Sequence, residues 1–384
     1  MKVCVISSTI FSVPLTNYGG LEAVAYERAR GLAAKGHDVT LIAPTGSTCP
    51  GVKILAFGPP GRIPEKLAYA GYSYEDDNDR DEAGNKKMKR FGGYWPALPQ
   101  FDVIVDDSWE KHSYLLKMEG ALKAPILGVF HAPVNSMYGV WPPQCPGVGS
   151  GRVDKPCAVC ISEDQASHLR ALFQCDVRVA HNGIDIHQYA PMNVPRSDRF
   201  LFLARFSAIK GADLALEACY QAGVGLDLIG DTQITGEPAY FHQCQQMAKR
   251  ESPGWDRSKG PQFRVMGGVS RTETVWWYSQ AKAMLHPNMR FREPLGLAPL
   301  EAMACECPVI AWRYGALQET VKEGVSGWLV SSMDQLINAI RSVVNGGSEG
   351  MRKGAREWAK KFSLEVFVDR YDELIHEAVS TGGW

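Results

Sequence analysis

Two glutamates eight positions apart, Glu293 and Glu301, frame the stretch of this chain best equipped for chemistry, Glu293-Pro294-Leu295-Gly296-Leu297-Ala298-Pro299-Leu300-Glu301. Pro294 and Gly296 mark a turn, and the apolar run from Leu297 reads as the first turns of a helix. A helix start presents backbone N–H groups without intrahelical partners at the positive end of the dipole, so Gly296 and Leu297 suit an anion such as a diphosphate. Glu293, just outside the helix, can accept hydrogen bonds from sugar hydroxyls. Glu301, two turns in, is placed for a ribose diol, which a carboxylate grips through charge-assisted bonds. The competing reading has both acids merely capping or solvating the helix.

That competitor loses weight when the nearby cations are added. Ala204-Arg205-Phe206 closes an apolar strand, and Lys210-Gly211 stands at the start of the following helix. Arg205 and Lys210 then share the carboxyl end of a sheet, where two cations suit the negative charge growing on a departing diphosphate. Asp106-Asp107-Ser108 also follows a strand and raises a metal reading, since magnesium often takes one or two carboxylates plus substrate phosphates. The cationic pair already supplies the charge a metal would bring. Asp106 and Asp107 are therefore read as acceptor contacts or as a plain strand end, with no metal assigned.

The elements that must position these groups are legible from periodicity. Lys2 to Ile6 is a short apolar strand, and Gly19-Gly20 opens a helix with Leu21, Val24, Ala25, Ala29 and Leu32 at helical spacing, ended by Gly36. Further strands are expected at His37–Ala43, Phe101–Val105, Ile126–Phe130 and Ala158–Ile161. A second series runs Arg199–Ala204, Leu226–Ile229, Phe263–Met266, Ala283–His286, Pro308–Ala311 and Trp328–Val330. Strands alternating with helices imply α/β architecture: two Rossmann-like, doubly wound parallel sheets, with a ligand cleft at the carboxyl ends of their strands. Residues 186–198, with Pro191 and Pro195, read as a linker. The expected division is an acceptor-side domain over 1–190, a donor domain over 191–361, and a tail over 362–384. In that tail Phe367, Tyr371, Leu374 and Ile375 are spaced to pack back on the first domain.

Length and composition agree with this. A chain of 384 residues exceeds one ordinary core at about 150 residues per domain. A formal charge of -1 argues against a nucleic-acid partner. The ten scattered cysteines suit buried thiols in a reducing compartment. Cys157-x-x-Cys160, with Cys145 nearby, lies in a segment read as a strand, which points the two thiols to opposite faces and leaves no zinc set. The apolar start, Met1 to Leu15, lacks a small-residue cleavage site, and no run reaches the ~18 apolar residues of a spanning helix, so a cytoplasmic protein is expected. Residues 62–100 are the least regular part; the basic-aromatic piece Lys86–Phe91 reads as a solvated loop or as a peripheral contact with the inner membrane face.

Taken together, these motifs resemble the retaining glycosyltransferases of family four, over nearly the whole chain. The resemblance rests on Glu293 with Glu301, Arg205 with Lys210, the Gly19-Gly20 turn, and His181-Asn182-Gly183-Ile184-Asp185. It implies the GT-B fold and metal-independent, cofactor-free transfer of a hexosyl group from a nucleotide sugar, UDP-glucose first and GDP-mannose second. The acceptor is a hydroxyl on a small molecule, glycan or lipid-linked compound. By the same resemblance Glu293 holds the donor sugar, Glu301 the ribose, Arg205 and Lys210 the diphosphate, while Gly19 and Gly20 admit the phosphate to backbone amides. His131, in Val129-Phe130-His131-Ala132-Pro133, matches the family histidine near the reacting centre; alone it would read as a structural residue. The implied reaction is front-face, with the donor phosphate helping to take the acceptor proton.

The chain departs from the family at two places. Glu306 stands after the helix where glycine is common, so a left-handed backbone there would carry ~1 kcal/mol of strain. Gln318-Glu319 replaces the more usual Pro-Glu. A dinucleotide-dependent oxidoreductase is disfavoured because no G-x-G-x-x-G follows the first strand. A GT-B epimerase or phosphorylase and a catalytically silent sugar-nucleotide binding protein remain as alternatives.

Overall fold

Aliphatic runs become strands where both faces are covered, and that condition is met in two places in the chain. The computed structural model describes residues 1–8, 11–15, 20–56, 72–74, 88–90, 95–108, 113–118, 120–133, 157–173, 175–231 and 237–384. They divide into two compact units. One comprises Met1–Leu15, Gly19–His181 and Phe367–Trp384, and the other contains Asn182–Val366.

In the first unit the strands are β1 (Lys2–Ile6), β2 (Asp38–Ala43), β3 (Lys53–Ala56), β4 (Tyr72–Tyr74), β5 (Met88–Arg90), β6 (Val103–Asp106), β7 (Ile126–Phe130), β8 (Ala158–Cys160) and β9 (Val177–Val179). Seven of them form one sheet in the order β3-β2-β1-β6-β7-β8-β9, and β4 pairs with β5 alone and antiparallel. Every pair in the seven-stranded sheet is parallel. The strand order reverses at β1, between β2 and β6, which makes a topological switch point; in open α/β sheets ligands bind beyond the carboxyl ends there. The first helix, Gly20–Ala34, buries Val24, Ala25, Arg28, Ala29 and Leu32 on one face. Gly36 follows at φ 91°, a left-handed stop that a side chain would resist. The closing helix, Leu364–Thr381, buries Phe367, Tyr371, Leu374 and Ile375, and Val368 fits against Gly31 so closely that a Cβ there would lie 2.2 Å from its methyl.

The second unit repeats the plan. Its strands are β10 (Phe200–Leu203), β11 (Leu226–Ile229), β12 (Phe263–Met266), β13 (Met284–His286), β14 (Val309–Trp312) and β15 (Gly327–Val330). They lie in the order β12-β11-β10-β13-β14-β15, all parallel, with the reversal between β10 and β13. Phe200, Phe202, Phe206, Leu226, Leu228 and Leu285 anchor its core.

Several expectations need correction. Residues 186–198 are no free linker: Tyr189 is only 6% exposed, and the backbone of Met192 and Ser197 bonds to Ser279 and Gln280 of the second unit. Their prolines signal an irregular path, not a loose one. Strands β3 and β9 escaped the sequence reading because each is short and lies at a sheet edge, where half-exposed residues break the apolar run. The strand expected to start before Cys157 begins at Ala158, and Cys157 itself sits at φ 45°. Of the Lys86–Phe91 piece, only the Met88–Arg90 backbone is described; Lys86, Lys87 and Phe91, and with them the membrane contact, lie outside the described residues, as do Cys145 and Gly19. Among the described residues no helix is long and apolar enough to cross a membrane. No disulfide joins two of the nine described cysteines.

Candidate active site

Beyond the carboxyl end of β10 the chain turns sharply, because Gly230 lets the Ala204 carbonyl approach where a Cβ would lie only 1.9 Å away. Arg205 follows, half-buried, with its Nε enclosed and without a hydrogen-bond partner among the described residues. A shielded guanidinium donor left unbonded costs about 1–3 kcal/mol, which an anionic ligand would recover. The next turn is fixed by Glu237, which accepts from Ser207 Oγ at 2.6 Å and the Ala208 amide at 2.7 Å. Gly211, at φ 78°, then passes so near the Pro287 carbonyl that a Cβ would sit 2.5 Å from its oxygen. This close passage carries Lys210 to Glu293, with Nζ 2.7 Å from Oε2.

Glu293 is 8% exposed and is held from several directions. Asn288 Nδ2 donates to the same Oε2 at 2.6 Å, and His286 Nε2 lies 3.5 Å from it. No donor among the described residues is recorded for Oε1. Ala316 donates its amide to the Glu293 carbonyl at 2.9 Å, and Gly315, at φ 63°, crosses with its Cβ position 2.7 Å from that oxygen. Arg290 makes a two-pronged contact with Asp213 at 2.8 and 2.7 Å, so the segments carrying Lys210 and Glu293 are joined twice. Burial would push the Glu293 carboxyl up, but Lys210 and His286 outweigh it and hold the group well below the usual carboxylate range. Burial also moves His286 below its ordinary value, which favours the neutral ring at neutral pH.

Gly296, at φ 91°, precedes the helix Leu297–Ala304, and no side chain caps that helix start. Glu301 lies on the same helix, half-buried, and the Tyr278 hydroxyl donates to it at 3.4 Å. Tyr189 stands near enough to favour its charged form as well. Burial raises the Glu301 carboxyl above its ordinary value despite these donors and the nearby Arg271.

In the first unit, His131 follows β7 and its Nε2 lies 2.7 Å from Asp107 Oδ1. The other oxygen of Asp107 is bonded by Arg28. Gln165 braces the backbone beyond the histidine, donating to the Ala132 carbonyl at 2.6 Å and accepting from the Ile161 amide at 2.9 Å. Asp106 accepts from the Ser108 amide and hydroxyl and from Ser113 Oγ. Both aspartates are 0% exposed with their oxygens engaged, so they hold their neighbours; the acceptor contact expected of them does not fit this burial. Gly20 is the exposed first residue of its helix.

The two halves of the chain match two family models in turn: "Glycosyltransferase Family 4" over residues 18–188 and "Glycosyl transferases group 1" over residues 193–362. The chain belongs to the family-four, group 1 glycosyltransferases. Its paired parallel sheets are those of the GT-B fold. Among curated relatives, the glycosyltransferase is similar to D-inositol 3-phosphate glycosyltransferase 1 of Catenulispora acidiphila, with 26% identity over 95% of this chain and 92% of that protein. Among solved structures, it is similar to sucrose-phosphate synthase from Thermosynechococcus elongatus, with a TM-score of 0.75 at 18% identity and 99% coverage of each chain. Anabaena Alr3699/HepE, solved in complex with UDP, gives a TM-score of 0.74 at 15% identity, with 98% of this chain and 100% of that one covered. These two likenesses show the fold.

The second unit of the glycosyltransferase thus brings Lys210 and Glu293 into contact, as their charges allow, while Arg205 and Glu301 occupy neighbouring elements of the same sheet end. Sequence reasoning missed His286 and Asn288, the other holders of Glu293, and also Arg28, Tyr189 and Tyr278. Signals for two were present. His286 ends an apolar strand as His131 does, and Arg28 interrupts the buried stripe Val24, Ala25, Ala29, Leu32. Tyr189 and Tyr278 reach Glu301 only through tertiary folding, and spacing cannot show that.

Proposed function

We propose that the glycosyltransferase moves a hexosyl group, with retention and without a metal or organic cofactor, from a nucleotide-diphosphate sugar to a hydroxyl acceptor. UDP-glucose is the favoured donor and GDP-mannose the second. The observation that carries this reading is the ionised, buried Glu293, with one oxygen held by Lys210 and Asn288, in the same unit as an Arg205 whose enclosed Nε has no partner among the described residues. Glu293 then receives donor-sugar hydroxyls, Glu301 the ribose diol, and Arg205, Lys210 and the helix start at Gly296-Leu297 the diphosphate; Gly20 and Gly19 admit the phosphate from the first unit. His131 serves the reacting centre. In a front-face reaction the bond from the anomeric carbon to the leaving phosphate oxygen breaks, the acceptor oxygen bonds on the same face, and its proton passes to the leaving phosphate.

An Anabaena neighbour solved with UDP-glucose supports the choice of donor. The D-inositol 3-phosphate glycosyltransferases among its relatives make inositol 3-phosphate the first acceptor to try, ahead of other small molecules, glycans and lipid-linked alcohols. The lack of a disulfide between described cysteines fits action in the cytoplasm. The test is a panel of sugar nucleotides assayed for hydrolysis and for transfer, with Glu293→Gln as the control. Turnover of one donor, lost in Glu293→Gln while donor binding persists, supports the assignment; equal turnover by both proteins contradicts it.

A further inference from the structure

His131 stands at the end of a buried chain of charges that the donor-site residues do not explain. Asp107 bridges it to Arg28, and both Asp107 and Arg28 are 0% exposed. The guanidinium carbon of Arg28 lies 3.9 Å from the ring centre of Tyr371 and 5.1 Å from that of Phe367, both on the closing helix. Four segments therefore meet: the first helix, the ends of β6 and β7, and the helix that closes the chain. Gly31, one turn beyond Arg28, lets the closing helix approach this near.

As a stabilising device this arrangement is poor. Arg28 bonds Asp107 through Nη1, while its Nε and Nη2 are buried against the Tyr371 and Phe367 side chains and have no well-aligned hydrogen bond among the described residues. A buried ion pair seldom outdoes a well-packed apolar substitute, and an under-bonded guanidinium does worse. What the pair does achieve is directional. Asp107 accepts from Nε2, which in the neutral ring places the proton there and leaves Nδ1 as the unprotonated nitrogen. A lone buried carboxylate would also pull the ring toward the imidazolium, and Arg28 on its far side offsets that pull.

We propose that Asp107 and Arg28 are positioning residues for His131, Asp107 fixing its orientation and tautomer and Arg28 balancing the carboxylate's charge, with the closing helix backing the guanidinium through Tyr371 and Phe367. The inference rests on His131 serving the donor site. Tyr371 and Cys160 also act on this chain, and burial pushes both up and so keeps them neutral. Asp106 is adjacent but turned to Ser108 and Ser113.

The two charges must act on the histidine with opposite sign, and a merely structural pair would not. In full-length protein carrying labelled histidine, the His131 ring signal is assigned by its loss in His131→Gln and titrated by NMR. Asp107→Asn is expected to lower the ring's titration midpoint by about one pH unit or more, and Arg28→Met to raise it by at least about half a unit. The doubly neutral protein, Arg28→Met with Asp107→Asn, removes the unpaired charge that could unfold either single variant, and its midpoint should fall below that of wild type. With UDP-glucose hydrolysis as the second readout, Asp107→Asn should lower kcat about tenfold or more with KM within about threefold. Midpoints that stay within about 0.2 unit in the double variant, or that move the same way in both singles, overturn the proposal. If wild type turns over no donor, the functional reading fails, while the NMR titration still decides whether the pair positions His131.

Discussion

Two buried carboxylates, one in each unit, meet nearly the same ingredients and end in different employment. Asp107 in the first unit and Glu293 in the second each face a cation and a strand-end histidine: Arg28 and His131 for one, Lys210 and His286 for the other. In both, burial raises the carboxyl's pKa and neighbouring positive charge more than reverses it. The difference is in the oxygens. Asp107 spends one on each neighbour and is 0% exposed, whereas Glu293 gathers Lys210, Asn288 and His286 on Oε2 and is 8% exposed. A carboxylate with both oxygens engaged can orient a partner; one gripped by a single oxygen can still receive a ligand.

The sharpest way to break this contrast is Glu293→Gln. We expect kcat for donor turnover to fall by roughly two to three orders of magnitude, because a charged acceptor at the reacting sugar is lost. Donor affinity by calorimetry should change less than about tenfold. A comparable loss of binding would mean that Glu293 holds the site together much as Asp107 does.

Backbone support comes next in size. Gly211→Ala places a Cβ 2.5 Å from the Pro287 oxygen at φ 78°, so a loss of about 1–3 kcal/mol in unfolding free energy is expected, together with weaker donor binding through displaced Lys210. Gly31→Ala meets the Val368 side chain, its Cβ included at 3.1 Å, but neither a backbone atom among the nearest nor a left-handed φ, and should cost less in denaturant melts. Equal losses would show that the two close passages are equally rigid.

A pH titration sharpens the comparison on the donor side. Glu301 is raised above the ordinary carboxylate value and Glu293 lowered, so on acidification Glu301 protonates first. An ionised Glu301 accepts from the ribose diol and a protonated one loses part of that capacity. UDP affinity should therefore weaken as pH falls through the raised Glu301 value, while Glu293 is still ionised. Glu301→Gln should bind UDP more weakly at neutral pH and show no such acid loss; an unchanged acid loss would assign it to another group. Stability follows with opposite signs. The depressed Glu293 contributes stability that is full above its unfolded value and is lost progressively as pH falls from there to its depressed folded value, whereas the raised Glu301 costs stability once pH rises past its unfolded value.

The smallest effect concerns two left-handed residues, again one per unit, Glu306 at φ 59° and Cys157 at φ 45°. Glu306→Gly removes ~1 kcal/mol of strain but frees the unfolded chain by a similar amount, so a melting temperature unchanged or slightly raised is expected. Cys157 is fully buried, and Cys157→Gly should lower the melting temperature because it leaves a void. A clear drop for Glu306→Gly would show that its side chain, 3.6 Å from Arg196, matters more than its backbone.

What was legible in the sequence follows from which forces are local. Continuous apolar runs such as Ile126–Phe130 and Leu226–Ile229 are strands over those same residues, because a parallel strand covered on both faces must be apolar throughout. The left-handed Glu306 was legible because a helix end makes a local demand on the backbone. The holders of the site residues were not. Arg28 lies 79 positions from Asp107, and Lys210 lies 83 from Glu293, and no periodicity connects residues that far apart. Lys210 reads as a site cation from its place at the start of the helix after a strand, yet its bond to Glu293 required the fold. The irregular Tyr189 segment read as a linker because proline marks where regular structure stops, not where packing stops.

The account stands on the second unit gripping a diphosphate, and calorimetric titration of UDP against uridine addresses that most directly. Wild type should bind UDP at least about a hundredfold more tightly than uridine, and Arg205→Met should erase most of that gap while leaving uridine affinity unchanged. Equal affinity of the wild type for UDP and uridine would contradict it.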